Sequence, residues 1–149
     1  MSTEFVADDN RVPNGRTIQV LLVDDSPIML STLARILAKQ GRTTVLGTAT
    51  DGWLALRAAL ETTPDLVLMD LNLPCLNGAE ATRYLKLLPK PPVVFMVTSD
   101  DSPNAQSISK AAGADAFIVK AADLDVQIRS KLYEWFSEPR GSKGNSVPR

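Results

Sequence analysis

Between residues 17 and 137 the chain alternates short apolar runs with longer segments whose apolar residues recur every three or four positions. The β-branched or apolar runs fall at 18–23, 43–49, 65–69, 93–97 and 116–119. Continuous runs of this length suit strands buried on both faces, as in a parallel sheet, rather than strands with one face in water.

The segments between them read as helices with legible ends. Ser26-Pro27 supplies an N-cap followed by proline at the first helical position, and Gly41 closes that helix. Met29, Leu33, Ile36, Leu37 and Gln40 fall along one side of it. Asp51-Gly52 opens a second helix whose inner face would carry Ala55, Leu56, Ala59 and Leu60. Asn77-Gly78 opens a third, predicted to run through about Leu88. Pro103 opens a fourth that ends at Gly113, and Asp123 can cap a fifth in which Leu124, Ile128 and Leu132 recur. Strand and helix in strict alternation predict an α/β fold, a doubly wound parallel sheet of five strands flanked by five helices. Residues 1–16 and 138–149 show no period and read as a flexible lead-in and tail around a single domain at 17–137.

Composition narrows the function classes. The chain has 149 residues, a net charge of -1 and no histidine. A histidine nucleophile, a Ser-His triad and an imidazole-dependent zinc site are therefore excluded; carboxylates, hydroxyls, lysines and one thiol must carry any chemistry. The charge balance gives no reason to expect nucleic acid binding. The single cysteine, Cys75, allows no internal disulfide and suits a reducing compartment. No apolar run approaches the ~18 residues of a membrane span, and the polar, acidic N-terminus does not resemble a secretion signal. The cytoplasm is the simplest compartment.

In a parallel α/β sheet, function gathers at the carboxyl ends of the strands. Here the first run ends in Asp24-Asp25, the third in Asp70, the fourth in Thr98-Ser99 and the fifth in Lys120. Taken singly, these are a solvated turn, a strand-end cap, a strand residue and a surface lysine. Taken together they put three carboxylates, a hydroxyl and an ammonium on one rim. Two unit charges about 4 Å apart repel by roughly 4 kcal/mol at an effective dielectric near 20, so the carboxylates call for a cation. A hard divalent ion such as Mg²⁺ suits all-oxygen ligands and can take oxygens of an incoming phosphoryl group. An aspartate can itself attack phosphorus and carry the group as an acyl phosphate.

These residues resemble the receiver domain of two-component response regulators. The resemblance is carried by VLLVDDSP at 20–27, DLVLMDLNLPCLNG at 65–78, VVFMVTSDD at 93–101 and GADAFIVKA at 113–121. It implies a flavodoxin-like sheet of order 2-1-3-4-5 and Asp70 as phosphoacceptor. It also implies Mg²⁺ held by Asp25, by Asp24 largely through water, by Asp70 and by the backbone carbonyl of Asn72. Thr98 would swing toward the phosphoryl group, Lys120 would pair with it, and Phe117 would change rotamer with the activation state. The implied donor is a sensor histidine kinase or a histidine phosphotransfer protein. The implied output is a protein target or a second copy, bound through the fourth helix, fifth strand and fifth helix. Asn72 and Asp100 flank the site and would tune the lifetime of the phosphoryl group.

Several positions depart from the family pattern. Ala121 follows the lysine where proline is usual, so a trans peptide is expected there. Ser99 stands where alanine is common. Trp53 and Leu54 open the second helix where polar residues are usual, either as a contact site or folded over the helix start. Trp135 and Phe136 pose the same choice between an interface and packing against the tail. A haloacid-dehalogenase-type phosphatase would need an acid two residues after Asp70, where Asn72 stands. A flavin carrier would need a phosphate-cradling loop after the first strand, where Asp24-Asp25 would repel phosphate. The remaining alternative is a receiver-shaped interaction module that works without phosphorylation. No room for a DNA-binding domain follows residue 136; both a stand-alone regulator and a fragment of a longer protein fit.

Overall fold

A computed structural model describes residues 16–137. The expected lead-in and tail lie outside the described residues, except Arg16, whose guanidinium donates to Asp65 at 2.8 Å. The elements are β1 (Ile18–Val23), α1 (Pro27–Gln40), β2 (Thr43–Ala49), α2 (Gly52–Thr62), β3 (Leu66–Met69), α3 (Gly78–Leu85), β4 (Val93–Thr98), α4 (Pro103–Ala112), β5 (Ala116–Val119) and α5 (Leu124–Phe136). The strands pair in parallel in the order β2-β1-β3-β4-β5, as the resemblance implied.

Successive side chains of a strand point to opposite faces, so β1, β3 and β4 each serve two cores, while β2 is buried only at Ala49. On one face Ile18, Val20, Leu22, Leu66, Leu68 and Phe95 pack against Leu33 and Leu37 of α1 and Ile128, Leu132 and Phe136 of α5. On the other, Leu21, Val23, Val67, Met69, Val94 and Met96 meet Ala55, Ala59, Leu85 and Ala112 of the remaining helices. This double burial is why these three strands read as near-continuous apolar runs.

Three helix starts follow the predicted caps, Ser26, Asp51 and Asn77, and Ser102 caps the fourth helix in front of Pro103. Ser26, Asp51, Asn77 and Ser102 accept the backbone N–H groups of Met29, Leu54, Glu80 and Ala105 at 3.2, 2.8, 2.9 and 3.1 Å. Each satisfies a donor that the first helical turn leaves open. Gly41 and Gly113 close α1 and α4 with positive φ, where alanine would be strained.

Other expectations are corrected. α3 ends at Leu85, three residues early, where the Leu87 and Leu88 N–H groups bond three residues back, to the Tyr84 and Leu85 carbonyls at 3.0 and 3.2 Å, in place of the helical four; the Lys86 side chain donates to the Pro92 carbonyl at 2.7 Å and the Asp115 carboxylate at 2.6 Å. Asp123 does not cap α5 with its side chain; it accepts instead from Gln127 Nε2 at 2.9 Å. Leu60 is exposed, because Gly52, Ala55 and Ala59 form the buried face of α2 and Leu60 lies about 100° around the helix from Ala59. Asp65 precedes β3 rather than beginning it, and its carboxylate takes the Gln19 N–H at 2.8 Å. β4 extends one residue further than expected, to Thr98. Trp53 and Leu54 are exposed, whereas Phe136 is fully buried and belongs to the α1–α5 core. Trp135 is half-buried against the same core. No cis peptide occurs among the described residues, so the Lys120–Ala121 bond is trans as expected.

Candidate functional site

The sheet's hydrogen-bond ladder runs one residue past its strands and fixes the backbone of the rim. Asp24 N–H donates to the Ala49 carbonyl at 3.0 Å, Asp70 N–H to the Val23 carbonyl at 3.0 Å, and Lys120 N–H to the Thr98 carbonyl at 2.8 Å. Asp24 and Asp70 therefore end neighbouring strands, β1 and β3, where the chain reverses its direction of winding. This is the position at which open α/β sheets leave a crevice.

The side chains converge there. Asp24 is 1 % exposed and Asp70 6 %, whereas Asp25 reaches solvent. One carboxylate oxygen from each of the three lies within 4.8 Å of the others. The Lys120 ammonium donates to Asp24 Oδ2 at 2.7 Å and stands 3.5 Å from Asp70 Oδ2. Asp24 Oδ1 accepts the Ser26 N–H at 2.9 Å, so the α1 cap residue also orients this carboxylate. Asn72 N–H lies 3.4 Å from Asp70 Oδ1, a long contact that ties the loop after β3 to the carboxylate.

Thr98 is fully buried, and its hydroxyl oxygen accepts the Asp100 N–H at 3.2 Å, leaving its own O–H to donate elsewhere. It pairs with Val119 in the sheet and so stands beside Lys120. Phe117 is half-buried on β5 and packs against the α2–α4 core. The sequence-predicted residues thus come together at the one rim, with Phe117 set back along its strand.

Electrostatics sets Asp70 apart. Burial raises its pKa, Lys120 lowers it, Asp24 raises it again, and the Asn72 N–H and Lys120 hydrogen bonds lower it; the net direction is upward. Asp100 moves the opposite way, lowered by hydrogen bonds from Ser102. Three carboxylates facing one ammonium leave an excess of negative charge. The donors are all oxygens, with no thiolate or imidazole, and that chemistry fits Mg²⁺.

Two features were not legible as parts of the site. In the sequence Ser26 reads only as a cap, and the backbone contact to Asp24 leaves no sequence signal. Gly78 reads only as a helix opener. An added Cβ there would sit 2.0 Å from the Asp70 carbonyl oxygen, so glycine alone lets α3 start against the Asp70 backbone.

The chain matches the response regulator receiver domain family over residues 20–131. It is 32% identical over 122 residues to the transcriptional regulatory protein DegU of Brevibacillus brevis, covering 81% of this chain and 51% of that one. The response regulator domain of CheB from Thermotoga maritima superposes with a TM-score of 0.74 at 32% identity, over 80% of this chain and 96% of that one. The receiver domain of a sensor histidine kinase from Pseudomonas aeruginosa PAO1, which holds a coordinated magnesium ion in its active site cleft, superposes with a TM-score of 0.72 at 25% identity, over 80% of this chain and 97% of that one. The chain spans about half or less of the length of the first curated relatives it matches. No helix among the described residues is long and apolar enough to cross a membrane. On this sequence match and this fold, the chain belongs to the response regulator receiver domains of two-component signalling.

Proposed function

We propose that Asp70 is the phosphoacceptor of a phosphorylation-activated switch. One observation carries this reading. A carboxylate at the end of a central strand stands between two further carboxylates and the ammonium of Lys120, 3.5 Å away. An Asp70 oxygen attacks phosphorus, forming an acyl phosphate as the bond from phosphorus to the donor breaks; for phosphohistidine that bond is P–N. Asp25, Asp24 (largely through water), Asp70 and the Asn72 carbonyl would hold Mg²⁺. When bound, the ion supplies positive charge facing the phosphoryl oxygens. Lys120 balances charge on the other side, and the free O–H of Thr98 donates to the group once it is in place. Catalysis is confined to the chain's own phosphorylation and dephosphorylation, and Asn72 and Asp100 bear on the lifetime of the product.

The unit that carries this chemistry is 17–137. The donor is a histidine kinase or a histidine phosphotransfer protein, since the chain has no histidine. An open groove of about 740 Å³ between α1 and the start of α5 is lined by Met29, Ile36, Lys120 and Leu124 and gives such a donor an approach to the site. Phosphorylation adds charge and acceptor oxygens, draws on Thr98 and Lys120, and biases Phe117 and the α4–β5–α5 face. Exposed Ile108, Val126 and Tyr133 equip that face for a protein target or a second copy rather than for nucleic acid. The exposed thiol of Cys75 suits a reducing compartment such as the cytoplasm.

Incubation with Mg²⁺ and acetyl phosphate, followed by intact mass, tests the assignment. One added phosphoryl group is expected on the wild type and none on Asp70→Asn. An unlabelled wild type, or a variant labelled equally, overturns it.

A further inference from the structure

The loop between β3 and α3 carries Asn72 and follows Asp70 directly, so its shape sets the shape of the site. It is not held by its own backbone preferences. Cys75 adopts φ 69, a left-handed conformation that a residue with a Cβ keeps only when its surroundings enforce it. Within the loop, Leu76 N–H donates to the Pro74 carbonyl at 2.8 Å and Gly78 N–H to the Leu71 carbonyl at 2.8 Å.

What presses on this loop from outside is the start of α2. Gly52 lies against Leu76 so closely that an added Cβ would sit 2.1 Å from the Leu76 carbonyl oxygen and 2.8 Å from its carbonyl carbon. Both are backbone atoms, so no side-chain rotation could relieve the overlap. Gly52 is buried and has no positive φ, so its own conformation does not demand glycine. In the first turn of a helix, alanine would be intrinsically the better residue. The reason for glycine at this position is therefore the neighbour and not the helix.

We propose that Gly52 is a positioning residue for the phosphorylation site, acting from α2 through the backbone of Leu76 on the loop that carries Asn72. A displaced Leu76 shifts the loop, and with it the Asn72 carbonyl and the Asn72 N–H that reaches Asp70 Oδ1. The proposal rests on the reading of Asp70 and Asn72 given above. Gly47 provides a matched control, since it lies in β2 with nothing within 4 Å of an added Cβ.

The test compares Gly52→Ala and Gly47→Ala in the full chain by amide hydrogen exchange and by calorimetric titration with Mg²⁺. For Gly52→Ala, exchange is expected to quicken across residues 71–78 while the β1 and β4 amides keep their protection. Mg²⁺ binding is expected to weaken by about 10-fold or more, the scale on which supporting residues act on a metal site. Gly47→Ala is expected to match the wild type in both. A folded Gly52→Ala chain with unchanged loop exchange and Mg²⁺ affinity overturns the proposal, as does exchange that quickens uniformly over the sheet. If Gly52→Ala does not fold, the wild type decides. Protected Leu76 and Gly78 amides support a held loop, and exchange at unstructured rates overturns it. Neither readout requires phosphorylation, so a failure of the acetyl phosphate experiment would count against Asp70 as acceptor and not against Gly52.

Discussion

Aspartates stand at both rims of the sheet, and the two rims treat them differently. At the amino ends of β3 and β5, Asp65 and Asp115 each have one cationic partner, Arg16 at 2.8 Å and Lys86 at 2.6 Å. Each also takes a backbone N–H, from Gln19 and Val94, at 2.8 Å. Charge is matched one to one, and the groups tie loops to strands. At the carboxyl ends, Asp24 and Asp70 share the ammonium of Lys120, and Asp25 brings a third carboxylate within 4.8 Å of both. The residue types are the same, but of the two rims this one carries the unmatched charge, and among the described residues only here is an aspartate pKa raised by burial and by a neighbouring carboxylate. Balanced pairs build the fold; the unbalanced cluster costs stability until a cation or a phosphoryl group changes its charge.

Mg²⁺ gives the largest test of this contrast. At a hundred times its dissociation constant it should stabilise the protein by about 2.7 kcal/mol, reversibly with EDTA. Thermal unfolding should show that shift in Lys86→Met but lose most of it in Asp70→Asn. An equal shift in all three would remove the distinction between the rims.

Breaking the balanced pair comes next. Lys86→Met leaves the part-buried Asp115 carboxylate with only a backbone donor, and should destabilise the fold by about 2 kcal/mol. Urea denaturation measures this directly, and a loss within error would show that the pair holds nothing.

Asp70→Asn should act in the opposite direction. Without Mg²⁺ it removes one of the crowded charges and should stabilise the chain by about 1 kcal/mol at neutral pH, roughly 3 to 6 °C in Tm. Because the folded pKa of Asp70 is raised, the folded state holds the proton more tightly than the unfolded state. Its contribution to stability is complete below the unfolded pKa and is lost as pH rises through the folded one. The Tm advantage of Asp70→Asn should therefore shrink as pH falls from neutral through the raised pKa, and an advantage independent of pH would argue against charge as its cause. Arg57 and Glu61, an exposed pair on α2 at 3.4 Å, set the lower end of the scale. Arg57→Ala should change stability by less than about 0.5 kcal/mol, measured by the same denaturation.

The sequence by itself determined the alternation of strands and helices, four of the helix starts and the cast of the site. These are legible because each rests on a local rule. Strands buried on both faces must be apolar throughout, and Ser26, Asp51, Asn77 and Ser102 cap their own helices within three residues. Asp24, Asp70, Thr98 and Lys120 follow from reading what ends each strand. Only the tertiary structure decided the matters that depend on a distant neighbour. The Lys86–Asp115 pair joins groups 29 positions apart in the chain, and the fate of Phe136 was set by the α1–α5 core. Asp65 and Asp115 look like the site aspartates in sequence, and differ in having a partner for each charge. The same holds for Gly52, whose place at a helix start is ordinary and whose contact with Leu76 is 24 positions away in the chain. Local propensity is written in neighbouring residues; charge balance and close approach are properties of groups that meet only when the sheet has formed.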